Sequence, residues 1–196
     1  MIIADRLFQH PSLEIASRPD MPGGKKCITK DALSVGTMIC YDFAPKHIDI
    51  ESFETLWECI PDTMYFSRVS KNLLAFPITE DSECAIDCMN HSCDPNVSWH
   101  GSYGMSLLKD VEAGEELTFD YATNEVALPG DIWKDTVLIE DCKCGAKNCR
   151  IEIRNTDYNR IELWNNWKIL HPFVLEHLFK DEDFLHHIRC SSKNNC

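Results

Sequence analysis

The sequence predicts a mainly β protein of short strands, with short helices and a cysteine-rich segment toward the C-terminus. Three observations support this fold class. Apolar and polar residues alternate over short, turn-bounded stretches through the first hundred or so residues. Apart from one short helical stretch, helical spacing of apolar residues becomes dominant after Cys149. Three cysteines stand close together at 142–149. This last group predicts a metal site that holds the C-terminal segment.

The strands follow from local alternation. Residues 12–17, 37–42 and 64–69 each alternate between apolar and polar side chains, which is typical of half-buried strands. Segment 96–121 predicts strand, turn, strand, turn and strand, with the first turn at 101–104 between two glycines.

The helices follow from spacing and capping. One helix is predicted to begin after Asp49 and to end before Pro61, and its apolar face carries Phe53, Leu56, Trp57 and Ile60. After Cys149 the pattern becomes helical again, and Pro172 is predicted to open a helix over 173–179.

The charge balance limits the partners. The chain has 196 residues, with 19 basic against 32 acidic residues and a formal net charge of −13. Such a surface repels nucleic-acid phosphates, so we expect no direct nucleic-acid binding. It would attract a polypeptide rich in Lys and Arg, although the charge could equally serve solubility alone. Asp5 and Arg6 interrupt the apolar start, and no apolar run approaches the ~20 residues of a membrane span. We therefore expect a soluble, intracellular protein without membrane association.

The cysteine count points to reduced thiols. Eleven cysteines, an odd number, without a secretion signal argue against a disulfide framework and for some thiols that bind metal. Cys27, Cys40 and Cys59 stand alone in apolar or mixed surroundings, so we expect small buried hydrophobic residues there. Cys190 and Cys196 lie in a polar tail and are predicted to take no part in the site.

The sharpest local motif is Cys142-x-Cys144-x4-Cys149, in which Gly145 permits a tight turn. Three thiolates within eight residues can converge on one tetrahedral ion, but structural zinc normally has four ligands. The fourth must come from elsewhere. On chemistry alone the candidates are Cys84, Cys88, Cys93, Cys190 and several histidines.

Two further segments are informative only in combination. The stretch NHSCDPN (90–96) predicts a turn, because Asp-Pro-Asn is strong turn chemistry. The stretch GEELTFDY (114–121) predicts a turn that enters a strand. Taken singly, each is typical of ordinary structure.

Together with CKCGAKNC (142–149), these segments resemble the SET-domain family of protein-lysine methyltransferases, in the family's order and spacing. Residues 23–31 are similar to its glycine-containing opening loop, so the resemblance covers about 20–152. It implies a SET-domain fold of small sheets with a knot-like core and a zinc-stapled C-terminal segment. The implied division is a SET domain over 1–124, a connecting segment with the zinc motif over 125–152, and a helical extension over 153–196.

The resemblance also implies a cofactor site. Asn90 and His91 match the pair that contacts S-adenosylmethionine in the family, and Lys25 and Lys26 match backbone contacts from the opening loop. Lys25 stands where the family's second glycine is usual, and Cys27 where phenylalanine is usual.

Catalytic and metal residues are implied in the same way. Tyr121 matches the catalytic tyrosine, and Phe119 matches the position that governs how many methyl groups are added. The cysteine of the family's NHSC motif is the fourth zinc ligand, which implies a site of Cys93, Cys142, Cys144 and Cys149.

Two departures concern the walls of these sites. Ile151 stands where many relatives have glycine. The aromatic residue that relatives carry six positions after the glycine of the early turn would here be Asp42, while Tyr41 is one position short. Either a bulge restores Tyr41 to that wall, or the wall is built differently.

The expected function is S-adenosylmethionine-dependent methylation of lysine, giving di- or trimethyllysine in a basic protein such as a histone tail or another Lys-rich protein. The expected location is the nucleus or the cytoplasm, and the sequence does not indicate an oligomeric state. One alternative is a catalytically silent, zinc-binding interaction module of the same fold. A third reading, a thiol-rich redox or metal-buffering protein, agrees with the cysteine count but not with segments 90–96 and 114–121.

Overall fold

The computed structural model describes residues 8–19, 24–41, 46–56, 67–76 and 85–193. Within these ranges the strands are β1 (Phe8–Gln9), β2 (Leu13–Ser17), β3 (Lys25–Thr29), β4 (Met38–Tyr41), β5 (Lys46–Asp49), β6 (Ser67–Ser70), β7 (Leu73–Phe76), β8 (Asn90–His91), β9 (Val97–His100), β10 (Gly104–Leu107), β11 (Thr118–Phe119), β12 (Val137–Ile139) and β13 (Ile153–Arg154). The helices there are α1 (Ile50–Leu56), α2 (Ile161–Trp164), α3 (Pro172–Leu178) and α4 (Glu182–Lys193).

The described strands form small sheets. One has four strands in the order β1-β4-β10-β9 and another has three in the order β5-β7-β6. Three more are pairs: β2-β3, β8-β11 and β12-β13. Of the pairings between described strands, that of β8 with β11 is parallel and the others are antiparallel. This arrangement of small sheets with short helices confirms the predicted fold class.

The local predictions agree with these elements. Strands β2 and β4 lie inside the predicted segments 12–17 and 37–42, and β9, β10 and β11 divide 96–121 as expected. Gly101, with φ of +68°, lies in the turn between β9 and β10. The predicted strand 64–69 overlaps β6, and its first residues, 64–66, lie outside the described residues.

Helix α1 begins where its capping residue predicts. The Asp49 carboxylate accepts hydrogen bonds from the backbone N–H and the hydroxyl of Ser52, both at 2.8 Å. Phe53 is buried and meets Trp133 edge-on at 5.3 Å between ring centroids. The rest of the predicted helix, with Trp57, Ile60 and Pro61, lies outside the described residues, as does Cys59.

Strand β4 contains a bulge. Its register against β10 pairs Cys40 with Met105 and Met38 with Ser106, so Ile39 is an extra residue. Ile39 and Cys40 are consecutive and both fully buried, which regular alternation would not allow. The bulge that the first of the two alternatives requires is therefore present, and Tyr41 lies opposite Gly104. The place of Tyr41 in the wall stays a prediction. Asp42 lies outside the described residues.

Two large apolar cores organise the described residues. The first packs residues of β2, β3, β4, β9 and β10, including Cys27 and Cys40, which are both fully buried as predicted. The second joins Cys93 and Ala122 to the C-terminal helices through residues such as Phe184. Because the second core spans all three predicted segments, the extension packs on the rest of the chain, and the boundaries at 124 and 152 remain predictions.

Arg68 ties the three-stranded sheet to the C-terminal half. Its side chain is buried, pairs with Asp131 and donates to the carbonyl oxygen of Val126 at 3.3 Å. The guanidinium also lies 5.5 Å from the ring centroid of Phe173 in α3. None of the described helices is long and apolar enough to cross a membrane.

Candidate active site and metal centre

Four cysteines converge on one point. The sulfur atoms of Cys93, Cys142, Cys144 and Cys149 all lie within 4.8 Å of one another. Cys93 follows β8, while the other three lie in the loop between β12 and β13, where Gly145 has φ of +74°. Four thiols at this spacing have the chemistry and geometry of a closed structural zinc site, so these residues could hold zinc.

Backbone N–H groups point at the sulfur atoms. Cys93 N–H donates to Cys144 Sγ at 3.5 Å, and Arg150 N–H donates to Cys93 Sγ at 3.4 Å. These donors favour the thiolate form that binds metal. Although burial opposes it, hydrogen bonds from the N–H groups of Cys93 and Ala146 lower the pKa of Cys144 to about 7.

The other thiols hold their protons more firmly. Burial raises the pKa of Cys93, and it raises the pKa of Cys142 to about 12. Zinc binds cysteine as the thiolate, so metal binding here would release the thiol protons to solvent, and the two events are coupled at this centre.

Ile151 closes the loop in an unfavourable conformation. Its φ is +68°, a region that a β-branched residue rarely adopts, and its side chain is 59% exposed. Its backbone is held from both sides: Cys142 N–H donates to Ile151 O at 2.6 Å, and Ile151 N–H donates to Cys149 Sγ at 3.5 Å. The predicted departure from glycine therefore falls at a position where glycine would be unstrained.

The two central motifs lie side by side. Strand β8 runs parallel to β11, with Asn90 opposite Thr118 and His91 opposite Phe119. Ser92 N–H donates to Phe119 O at 3.0 Å and extends this pairing. The pairing brings segment 90–93 against the segment that ends in Tyr121.

Asn90 joins this pair to the opening strand. Its amide nitrogen donates to the carbonyl oxygen of Lys25 at 3.0 Å and to Glu116 Oε1 at 2.8 Å. Lys25 and Lys26 lie at the start of β3, opposite Ser17 and Ala16 of β2. Lys25 is exposed and Asn90 is half-buried, so the place where these segments meet is open to solvent.

His91 is buried and contacts two neighbours through its ring. Its Nε2 lies 3.2 Å from Cys93 Sγ, and its Nδ1 accepts a hydrogen bond from Tyr121 N–H at 3.2 Å. Burial, together with the charge of Arg150, lowers the pKa of His91 to about 3, so the imidazole is neutral at physiological pH.

Two aromatic rings stand together beyond His91. The rings of Phe119 and Tyr121 lie 4.9 Å apart between centroids, and the Tyr121 hydroxyl donates to the carbonyl oxygen of Met89 at 3.0 Å. On its other side Phe119 meets the indole of Trp99 edge-on at 6.3 Å. The rings of Phe119, Tyr121 and Trp99 therefore form one aromatic wall beside β8.

The site contains a buried ion pair that the sequence analysis missed. Arg150 donates to the Asp120 carboxylate, and both side chains are at least 94% buried. Burial raises the pKa of Asp120, whereas the charge and hydrogen bond of Arg150 oppose this shift. The one available signal was that Arg150 directly follows Cys149.

The structure thus brings most of the predicted site residues together. The four cysteines, His91 and Tyr121 are linked by direct contacts, Phe119 adjoins Tyr121, and Asn90 reaches Lys25. Among the described contacts, none joins the side chain of Lys26 to this group. Asp42 and residues 57–66, which follow α1, lie outside the described residues.

The sequence is similar to those of known proteins. A family model of the SET domain matches residues 24–122. The Drosophila melanogaster protein named Histone-lysine N-methyltransferase Su(var)3-9 is 36% identical over an alignment of 99 residues, and the match covers 39% of this chain and 15% of the relative. The Neurospora crassa protein named Histone-lysine N-methyltransferase, H3 lysine-9 specific dim-5 is 33% identical over an alignment of 75 residues, and the match covers 32% of this chain and 23% of the relative.

A third relative, from Schizosaccharomyces pombe, is named Histone-lysine N-methyltransferase, H3 lysine-9 specific. It is 35% identical over an alignment of 77 residues, and the match covers 31% of this chain and 16% of the relative. The matches therefore span less than a quarter of the length of these relatives. The family match covers half of this chain and includes both motifs that meet at β8 and β11. The chain belongs to the SET-domain family.

Proposed function

We propose that the protein is an S-adenosylmethionine-dependent protein-lysine N-methyltransferase. The observation that carries the proposal is the contact of Tyr121 with the His91 ring, beside the four clustered cysteines. Membership of the SET family and three relatives named as histone-lysine N-methyltransferases support the same reaction.

The cofactor would lie where Asn90 meets the start of β3. The amide of Asn90 and the backbone of Lys25 are within hydrogen-bonding distance there, at an accessible place. Asn90, His91, Lys25 and Lys26 are the proposed cofactor contacts. Both ring nitrogens of His91 are already engaged, which leaves its backbone for this role. When bound, the cofactor supplies an electrophilic methyl group.

Tyr121 is the proposed catalytic residue. A lysine amine attacks a methyl group only in its neutral form, and its ordinary pKa is ~10.4, so the site must favour loss of a proton. A hydroxyl next to the carbonyl oxygen of Met89 provides polar groups that can orient the amine in an otherwise aromatic surrounding. Most of the rate enhancement then comes from positioning.

Phe119 is proposed to govern the number of methyl groups added, giving di- or trimethyllysine. A phenylalanine leaves space beside the reacting nitrogen that the hydroxyl of a tyrosine would occupy. The zinc site of Cys93, Cys142, Cys144 and Cys149 is proposed to hold the C-terminal segment against this wall. The ring contacts of Phe119 with Trp99 and Tyr121 support the first role. The contacts of His91 with Cys93 and with Tyr121 support the second.

A basic polypeptide is the proposed substrate, with a histone tail as the leading case. The net charge of −13 favours the approach of a Lys-rich segment. The names of the Neurospora and fission-yeast relatives specify lysine 9 of histone H3, which makes a histone H3 tail the first substrate to test. Other Lys-rich proteins suit the same charge. The corresponding place of action is the nucleus or the cytoplasm, without contact to nucleic acid or membrane.

A catalytically silent, zinc-binding interaction module is the second candidate. It is favoured by one observation, the replacement of the usual opening-loop glycine by Lys25. Titration calorimetry with S-adenosylmethionine separates the two: the enzyme binds the cofactor, whereas the silent module does not.

The proposed reaction is tested with Tyr121→Phe. We expect methyl transfer to a histone tail peptide to fall at least about 100-fold, because the reacting groups lose a positioning contact. Zinc content and unfolding free energy should stay close to those of the parent. Tyr103→Phe is the matched control, since Tyr103 lies in the turn between β9 and β10 beside His47. Equal rates of methyl transfer for Tyr121→Phe and the parent would show that Tyr121 is not the catalytic residue.

A further inference from the structure

His91 stands between the metal-binding cysteines and Tyr121. Its Nε2 is 3.2 Å from Cys93 Sγ, and its Nδ1 is 3.2 Å from the backbone nitrogen of Tyr121. The two rings meet at 5.3 Å between centroids. The residue is 8% exposed, so few of its atoms can reach a bound small molecule.

The two contacts require one tautomer. A backbone N–H can only donate, so Nδ1 must accept from Tyr121 and carry no proton. A neutral imidazole then has its proton on Nε2, which points at Cys93 Sγ. A metal-bound thiolate can only accept a hydrogen bond. The metal-bound state of Cys93 and the bond to Tyr121 therefore select the same tautomer.

We infer that the His91 side chain is a positioning residue that couples the zinc centre to the backbone of Tyr121. The inference rests on the proposed function for the role of Tyr121, and on the four-cysteine site for the metal. The imidazole bridges the two sites, with Nε2 at Cys93 Sγ and Nδ1 at the backbone nitrogen of Tyr121. A shift of Cys93 on loss of the metal would therefore be transmitted through the ring to the backbone of Tyr121.

The neighbouring charged side chains do not compete for the two hydrogen bonds of the His91 ring. The Asp120 carboxylate lies 3.6 Å from His91 Nδ1, beyond a hydrogen bond, and it is engaged by Arg150 and by the backbone N–H of Ala122. Arg150 in turn donates its backbone N–H to Cys93 Sγ. Asp120 and Arg150 thus lie beside the imidazole, and the backbone of Arg150 stabilises the Cys93 thiolate. Nδ1 of His91 remains directed at the Tyr121 N–H.

Substitutions of His91 can separate its bond to Cys93 from its bond to Tyr121. The amide of His91→Asn reaches about as far as Nδ1, so it can accept from Tyr121 but cannot reach Cys93. The amide of His91→Gln reaches about as far as Nε2 and can donate to Cys93 Sγ. His91→Leu removes both bonds. His100→Asn, at an exposed histidine of β9, is the control.

Each of the two hydrogen bonds has its own measurement on the full chain. The bond to Cys93 is followed by the thiolate-to-cobalt absorption band of the cobalt(II)-loaded protein and by the rate of zinc release to a chromogenic chelator. The bond to Tyr121 is followed by the chemical shift of the Tyr121 amide proton. The kcat and the KM for S-adenosylmethionine are measured last, because the first three readouts do not depend on activity.

We expect His91→Asn and His91→Leu to shift the cobalt band and to release zinc about 10- to 100-fold faster than the parent, while His91→Gln resembles the parent. The Tyr121 amide proton should move in His91→Leu and stay in place in His91→Asn. Where the reaction occurs, kcat falls in all three variants and KM changes less than about twofold.

Three results would overturn the inference. One is an unchanged cobalt band and zinc release in both His91→Asn and His91→Leu, and another is no cobalt or zinc bound by the parent. The third is a rise in KM with unchanged kcat, which would make the imidazole a cofactor contact. A different outcome is that the parent binds metal but transfers no methyl group, while the variants show the expected spectral shifts. This result contradicts the proposed function and supports the coupling.

Discussion

The imidazole of His171 packs edge-on against the indole ring of Trp99, with the ring centroids 4.7 Å apart. Trp99 lies inside the region that the SET family model matches, whereas His171 belongs to the C-terminal extension beyond it. His171 Nε2 donates to the carbonyl oxygen of Ser102 at 3.1 Å, and Nδ1 accepts from Phe173 N–H at 3.3 Å. This fully buried histidine therefore joins the extension to β9 and the turn after it.

The burial of His171 predicts a loss of stability in mild acid. Burial lowers its pKa from 6.5 to about 4, although the hydrogen bond with Ser102 opposes the shift. Between these values the unfolded chain binds a proton and the folded chain does not, so stability falls as the pH drops below about 6.5. At pH 5 the loss from this residue is about 2 kcal/mol. Urea unfolding at pH 7 and pH 5 measures it.

His171→Gln isolates this contribution, because its amide can still donate to Ser102 O but does not titrate. The variant should lose about 2 kcal/mol less than the parent between pH 7 and pH 5. His100→Asn, at an exposed site, should follow the parent. If parent and His171→Gln lose equal stability, His171 is not the group that titrates.

A second prediction concerns the strained residue beside the metal centre. Ile151→Gly should raise the free energy of unfolding by about 1 kcal/mol, because glycine adopts the φ of +68° without steric cost. Ile132→Gly is the matched control: both isoleucines are 59% exposed, but Ile132 does not have a positive φ. The control should lose about 0.5 kcal/mol through the entropy of the unfolded chain. A loss of stability in both variants would contradict the strain at Ile151.

The sequence predicted the features that depend on local patterns. Spacing within one turn was enough to group Cys142, Cys144 and Cys149, since a short loop can bring three sulfur atoms together without help from the rest of the fold. Alternation located β2, β4 and β6, turn residues divided β9, β10 and β11, and capping located the start of α1, for the same reason. The addition of Cys93 required the family resemblance, because nothing near position 93 reveals which distant segment lies against it.

Features that depend on long-range packing were beyond the sequence. Arg150 and Asp120 are thirty residues apart, and neither has a local pattern that indicates a buried pair. The sequence could not decide whether β4 contains a bulge, because a bulge depends on how a strand pairs with its neighbour. The contact of His171 with Trp99 spans two segments of which only one belongs to the family match.

A third prediction tests the metal centre directly. The parent should bind one zinc ion per chain, and Cys142→Ser should bind less than half an equivalent, because a tetrahedral structural site needs four strong ligands. The melting temperature of the variant should fall by roughly 10 °C, the shift that about 3 kcal/mol gives in a chain of this size. Cys190→Ser, at an exposed cysteine in α4, is the control and should keep both properties. Full zinc content in Cys142→Ser would exclude the proposed ligand set.

The last prediction concerns how many methyl groups are added, and it depends on Phe119. Its ring is half-buried between the Tyr121 ring at 4.9 Å and the Trp99 indole at 6.3 Å, so its outer edge belongs to the aromatic wall of the site. To accept a second methyl group, a methylated amine must rotate and direct its lone pair at the donor again. A tyrosine hydroxyl at this position would hold a water molecule or the amine itself and restrict that rotation.

The parent should therefore form di- or trimethyllysine with excess cofactor, and Phe119→Tyr should form chiefly monomethyllysine. Mass spectrometry of the products from one histone tail peptide decides between them. Phe119→Leu is the matched comparison, because it removes the ring without adding a hydroxyl and should still allow more than one methyl group. The hydroxyl, rather than the size of the side chain, is then the cause of any restriction. A parent that stops at one methyl group with excess cofactor would contradict this role of Phe119.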